Sequence, residues 1–264
     1  MSFASINGVR LFYESHGSGP AIVFAHGRGG NHLSWWRQLA AFSAHHRCVT
    51  FDQRGWGLSE GPAEPPDPAT VTADLVGLLD HLGIDSAVLV AQSMGGVSSL
   101  GVALRHPERV AGLVLSDTTG GIGDSSVISL LEDVHPPEDP LRRALSDSFI
   151  EQHPALTLLF GSVGRINPPM PVSVVSGLFR NPNGPQASEM AAMEVPTLLV
   201  VGQEDKIFPV HVIEAVHRLI PGSRLEVVPD AAHSTHFEQA ELFNGLLRDF
   251  VASLKLEVAA VADD

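Results

Sequence analysis

Ser93 stands in Ala91-Gln92-Ser93-Met94-Gly95-Gly96, directly after the apolar run Ala87 to Ala91 and before a segment with helical spacing. A serine hydroxyl is a weak nucleophile until it is held rigidly beside a base and turned toward a substrate. A sharp strand-to-helix turn does this, but it crowds the residues two before and two after the serine. Those positions must be small, and here they are Ala91 and Gly95. The same turn aims the backbone N–H of Met94 and the start of the next helix at a reacting carbonyl. The competing reading is a helix-capping serine after a strand. Small residues on both sides, with Gly96 behind them, favour the nucleophile.

The elements that would position this serine are legible as alternation. Short apolar runs at Ala21 to Ala25, Cys48 to Phe51, Ala87 to Ala91, Val110 to Leu115, Thr197 to Val201 and Leu225 to Val228 read as buried strands. Val9 to Glu14 alternates like an exposed early strand. Between them Thr70 to Leu82, Val97 to His106, Val210 to Leu219 and Leu242 to Leu254 have helical apolar spacing. Gly83 and Pro107 close two of these helices. The pattern predicts a mainly parallel sheet with helices on both faces. From Gly120 to about Met193 it breaks, with prolines scattered around short helical patches at Leu141 to Ile150 and Val172 to Phe179. Leu156, Leu158, Leu159, Phe160 and Met170 are too apolar for a solvated loop, so the stretch is expected to be a helical insertion.

The motifs, in this order and with these strand contexts, resemble the α/β-hydrolase superfamily over nearly the whole chain. Ala91-Gln92-Ser93-Met94-Gly95 is similar to its Gly-x-Ser-x-Gly nucleophile elbow, departing at the first glycine, where alanine adds one methyl. His26-Gly27-Arg28-Gly29 resembles its His-Gly-x-Gly turn, and Asp52-Gln53-Arg54-Gly55-Trp56-Gly57-Leu58-Ser59 its Asp-x-Arg-Gly-x-Gly-x-Ser segment. The resemblance implies an α/β-hydrolase fold, with core residues 1–120 and 191–264 and a helical cap at 121–190. It implies a general base in the loop after the last strand, where His233 has Glu238 five residues on and His236 as its rival. It places the acid at Asp205, with Asp117 and Glu204 as alternatives, so that Ser93, Asp205 and His233 form a triad in the order of this fold. The oxyanion donors are then the backbone N–H groups of Met94 and Arg28.

Arg28 stands where many relatives of this superfamily carry an apolar side chain. Its guanidinium is a candidate clamp for a substrate carboxylate, the alternatives being a turn into water or a pair with an acidic cap residue. Trp35 and Trp36 follow this turn, one expected in the core and the other at the pocket. Trp35 and Gln92 are the candidate substrate contacts beside Arg28. Asp52, Arg54 and Ser59 are expected to tie the loop after the fourth strand to the sheet.

Composition bounds the rest. A net charge of −14 argues against nucleic-acid or anionic-membrane partners, and a lone cysteine, Cys48, excludes an internal disulfide and a Cys-based zinc site. No His-Glu-x-x-His helix or other convincing ligand spacing points to a metal, and Gly27 to Gly30 lacks the endings of a phosphate or dinucleotide loop. Met1 to Gly17 lacks a basic stretch followed by an apolar one, and no apolar run approaches the ~20 residues of a membrane span. The expectation is a cytoplasmic monomer or homodimer, without cofactor, that hydrolyses a small-molecule carboxylic ester or lactone through an acyl-enzyme. Two alternatives stay open. One is a carbon–carbon bond hydrolase of a ring-cleavage product, or a cofactor-free perhydrolase; the other is a non-catalytic small-molecule receptor on the same fold.

Overall fold

The apolar runs read from the sequence all lie in one eight-stranded sheet. The computed structural model describes residues 2–61, 67–169 and 172–254. Met170 of the apolar insertion residues and the tail Ala259 to Asp264 lie outside them. The first part of the chain runs β1 (Ser2–Ile6), β2 (Val9–His16), β3 (Ala21–Ala25), α1 (Trp36–Phe42), β4 (Arg47–Phe51) and α2 (Pro68–His81). It continues through β5 (Ala87–Gln92), α3 (Gly95–Arg105) and β6 (Val110–Ser116). Then come α4 (Ser125–Glu132), α5 (Pro140–Ala144), α6 (Asp147–Gln152), α7 (Pro154–Gly164), α8 (Val172–Phe179) and α9 (Ala187–Ala192). The chain returns to the sheet at β7 (Thr197–Gly202), followed by α10 (Val210–Leu219), β8 (Arg224–Val228), α11 (Thr235–Glu238) and α12 (Ala240–Ser253).

The strand order is β1-β2-β4-β3-β5-β6-β7-β8, antiparallel at the β1-β2-β4 edge and parallel from β4 onward. The central strands are apolar over most of their length, with polar residues mainly toward their ends, because helices cover both faces. In β5, Ala87, Leu89 and Ala91 pack into a cluster with residues of α2, α3 and α10, while Val88 and Val90 pack on the other face with Phe243 and Phe250 of α12. β1 escaped the sequence reading, being short and half exposed. Its signal was Asn7-Gly8, both at positive φ, the two-residue turn of a hairpin. No helix among the described residues is long and apolar enough to cross a membrane.

The insertion between β6 and β7 differs in detail from its periodicity. Leu141 to Ile150 is two helices rather than one patch, because Leu145 takes an extended backbone and the Ser146 hydroxyl caps α6 by accepting from Phe149 N–H. Asp124 and Asp139 likewise cap α4 and α5. Such short helices are set by caps and tertiary contacts more than by an apolar stripe. Leu158 is also 66% exposed, so its apolar character does not reflect packing as expected, whereas Leu156 and Phe160 pack against Leu145, Phe149 and Phe237.

Candidate active site

The segments that follow β3, β4, β5, β7 and β8 converge on one cavity of about 720 Å³, roofed by residues of the insertion. Ser93 leaves β5 at φ +50, a left-handed conformation that costs a non-glycine residue on the order of 1–3 kcal/mol. Neighbours hold it there: Ser93 N–H donates to the Ser116 carbonyl at 3.0 Å, and the Thr118 hydroxyl donates to the Ser93 carbonyl at 2.7 Å. A Cβ on Gly95 would collide with the Ala25 carbonyl, which explains the small residue after the serine. The alanine at the first elbow position fits because Ala91 lies inside β5, in register with Ala25 and Leu115 and fully buried. Met94 caps α3 with no side chain bonded to its first turn.

His233, after β8, and Ser93 both line the cavity. The Nδ1 of His233 lies 2.9 Å from an Asp205 carboxylate oxygen, and the other Asp205 oxygen accepts from the N–H groups of Ile207 and Phe208. The carboxylate is thereby fixed from both sides, and an Nδ1–H donating to it leaves Nε2 of the imidazole as the lone-pair nitrogen. Burial opposes charge on His233, but the carboxylates of Asp205 first, then Asp117 and Glu238, together outweigh it and raise the histidine above its ordinary 6.5. Asp117 is not on the imidazole. It accepts from Gly202 N–H at 3.0 Å and from the Thr235 hydroxyl at 2.8 Å, pinning the loops that carry Asp205 and His233. Burial first, then the charge of Asp205, push its carboxyl up, while these donors favour its ionised form.

Gln92 has a structural task besides the substrate contact expected of it. Its side-chain N–H donates to the His233 carbonyl at 2.8 Å, tying the serine turn to the histidine loop, although it also lines the cavity. Glu238 accepts from Ala232 N–H and Ser146 N–H, and so joins the same loop to α6.

The turn after β3 closes with Gly30 N–H donating to the Gly27 carbonyl at 3.0 Å, with Arg28 at its corner. The Trp56 indole donates to the Arg28 carbonyl at 2.9 Å, and Asn167 after α7 bridges Gly30 and Gly57 through both ends of its amide. His26 accepts from Gln53 N–H through Nε2 and burial lowers its pKa, so it acts as a neutral peg. Asp52 holds His32 and Leu58, Ser59 returns to the Asp52 carbonyl, and Arg54 reaches Asp74 on α2 at 2.7 Å. Asp52, Arg54 and Ser59 position the turn from outside the cavity, whereas Trp56 and Asn167 also line it.

Comparison with known proteins places this architecture. The profile of the α/β-hydrolase fold family matches residues 20–147 and 141–240. The chain belongs to the α/β-hydrolase family. It is 30% identical to 2-hydroxymuconate semialdehyde hydrolase of Pseudomonas sp. strain CF600, over 97% of this chain and 94% of that protein. Among solved structures it resembles the malate-bound esterase of Thermogutta terrifontis (27% identity, TM-score 0.80, 95% of this chain and 97% of the other). It also resembles the enol-lactonase of Burkholderia xenovorans LB400 (26% identity, TM-score 0.79, 96% and 100%).

Two expectations about this α/β-hydrolase need correcting. Trp35 is fully buried between Phe24, Phe243 and His236, so it is a core residue and no substrate contact; Trp36 is 40% exposed and is absent from the cavity wall. His236, the rival of His233, is buried and also lines the cavity. It lies within α11, stacks on Trp35 at 4.3 Å between ring centroids, and is pushed down to about 3 by burial and then by His233. Several residues of the site went unread: Arg143, Arg165, Arg180 and Asn167 come from the Pro-rich insertion, where no periodicity marks a face. Cationic residues in an otherwise acidic chain were their one available signal.

Two pH effects follow. A neutral imidazole is needed to accept a proton, so the acid limb of kcat/KM is expected to have an apparent pKa above 6.5, measured with a substrate that does not itself titrate. A limb below 6.5 would contradict the His233–Asp205 pairing. For His236 the sign is opposite. The unfolded chain takes up a proton below 6.5 that the fold refuses until about 3, so His236 lowers stability progressively as pH falls through that window. Thermal melts should show the gap between wild type and His236→Gln narrowing from neutral pH to about pH 5. A gap independent of pH would mean that the ring titrates alike in the folded and the unfolded chain.

Proposed function

We propose that this chain is a serine hydrolase cleaving a small-molecule carboxylic ester or lactone through an acyl-enzyme on Ser93. The observation that carries this reading is a left-handed serine at a strand end, sharing a cavity with a histidine that is paired to a buried carboxylate. Ser93 Oγ attacks the carbonyl carbon as its proton passes to His233 Nε2. Asp205 keeps the imidazole in its tautomer and stabilises the imidazolium. The Met94 and Arg28 amides receive the oxyanion, a preorganised arrangement worth several kcal/mol when each donor is aimed at the developing charge. Collapse breaks the C–O bond, and the leaving alkoxide takes the proton from His233. Water, deprotonated by the same nitrogen, then attacks the acyl carbon, and the acid leaves as Ser93 regains its proton. The net balance is ester plus water to acid plus alcohol. In this reading helices α4–α9 serve as the cap that excludes bulk water.

A second reading, hydrolysis of a carbon–carbon bond in a vinylogous diketone, draws support from the 30% identity to a semialdehyde hydrolase. A substrate panel of short 4-nitrophenyl esters, lactones and such a diketone, each with Ser93→Ala as blank, separates the two. Serine-dependent turnover of esters or lactones supports the proposal. Turnover of the diketone alone favours the second reading, and tight binding without turnover would make the protein a receptor.

A further inference from the structure

The cavity wall departs in charge from the rest of the molecule. The chain carries 30 acidic and 16 basic residues besides histidine, yet among the described residues the wall contains Arg28, Arg143, Arg165 and Arg180 and no Asp or Glu. Arginines elsewhere, such as Arg10, Arg54, Arg109, Arg142 and Arg224, are paired with carboxylates. Three of the wall arginines, Arg143, Arg165 and Arg180, have neutral partners. Arg143 donates to the carbonyls of Pro137 and Glu138 at 2.8 and 2.9 Å, Arg180 to the Leu131 carbonyl at 2.7 Å, and Arg165 to the Ser162 hydroxyl at 2.7 Å. Asp139, which lies near Arg143, accepts from Leu141 and Arg142 N–H at the exposed start of α5, outside the wall. Carbonyl bonds hold a guanidinium in place without cancelling its charge.

Arg28 and Arg143 are the inner, half-buried pair; Arg165 and Arg180 are exposed at the rim. Burial lowers the pKa of Arg28, and the charge of Arg143 lowers it further, as expected of two cations that line one cavity. Repulsion between two such cations is relieved when an anion sits between them. Around the pair the wall is apolar, with Leu141, Phe160, Val175 and Phe179. Because the Arg28 amide is also the proposed oxyanion donor, one residue would meet both carbonyl and anion. Their separation is then no longer than an arginine side chain.

We propose that Arg28 and Arg143 form an anion subsite across the cavity, and that the substrate is a short acyl compound whose acyl chain ends in a carboxylate. The placement beside Ser93 rests on the hydrolase reading, whereas the anion site itself stands on the cavity wall. The rim arginines offset the repulsion of the acidic surface and draw the anion inward.

The test pairs turnover with binding. 4-Nitrophenyl hydrogen glutarate and 4-nitrophenyl methyl glutarate differ only in the terminal charge, and calorimetry with glutarate and dimethyl glutarate needs no chemistry. Wild type is expected to prefer the acidic ester, and Arg143→Met to lower the acid-to-neutral ratio of kcat/KM by about 10- to 150-fold, the range of a charge-assisted contact. Arg143→Lys should restore part of that ratio. Glutarate should bind wild type at least about tenfold more tightly than its dimethyl ester and weaken as salt is raised, a readout that requires no variant. Salt-insensitive or undetectable glutarate binding would overturn the proposal, as would an acid-to-neutral ratio unchanged in Arg143→Met. Turnover of the neutral ester without glutarate binding would overturn the subsite and leave the hydrolase reading intact. Arg143-dependent glutarate binding without turnover of either ester would support the subsite and sink the hydrolase reading.

Discussion

Ser93→Ala is expected to remove nearly all turnover, on the order of 10⁴- to 10⁶-fold in kcat, and His233→Ala to cost about as much. The double variant should lose little more. The reason is mechanistic coupling: an imidazole with no hydroxyl to deprotonate, or a hydroxyl with no base, contributes almost nothing alone. Both residues line one cavity, and Gln92 ties their loops together through the His233 carbonyl. Steady-state kinetics on the two single variants and the double variant decide the point. Multiplicative losses would mean that the two side chains act in separate steps.

The second large effect separates two buried carboxylates. Asp205→Asn is expected to lower kcat by roughly 10⁴-fold, since an amide facing Nδ1 favours the wrong tautomer and gives no compensation to the imidazolium. Asp117→Asn keeps an acceptor for Thr235 and Gly202 and should cost about tenfold or less, the scale of one weakened hydrogen bond. The ranking is to be measured on folded variants, with circular dichroism as the control. A larger loss at Asp117 would move the acid to the end of β6.

The sheet was legible because strands covered on both faces read as unbroken apolar runs, and the proposed catalytic residues lie at the ends of those runs. Ser93, Asp205 and His233 each follow such a run, and Arg28 follows β3. What lay between β6 and β7 was legible only as a departure from alternation. Helices such as α5 and α6 depend on Asp139 and Ser146 as caps and on contacts far along the chain, so a single apolar patch was read where two helices meet. Trp35 shows a different limit. Adjacent tryptophans on a turn point in different directions, and only the packing of Phe24, Phe243 and His236 identifies the one that is buried. Arg143 was invisible as a site residue for the same reason: its approach to Arg28 spans the insertion and the sheet, and no local spacing encodes it.

The covalent step at Ser93 is the part of the proposed mechanism most directly open to test. Incubating the protein with a small organophosphate ester, followed by intact mass measurement and peptide mapping, tests it in one experiment. The expected result is one adduct per chain on the peptide that contains Ser93, loss of ester turnover in proportion to labelling, and no adduct in Ser93→Ala. Continued ester turnover in protein that takes no label, or a label on another residue that accounts for the lost activity, would contradict it.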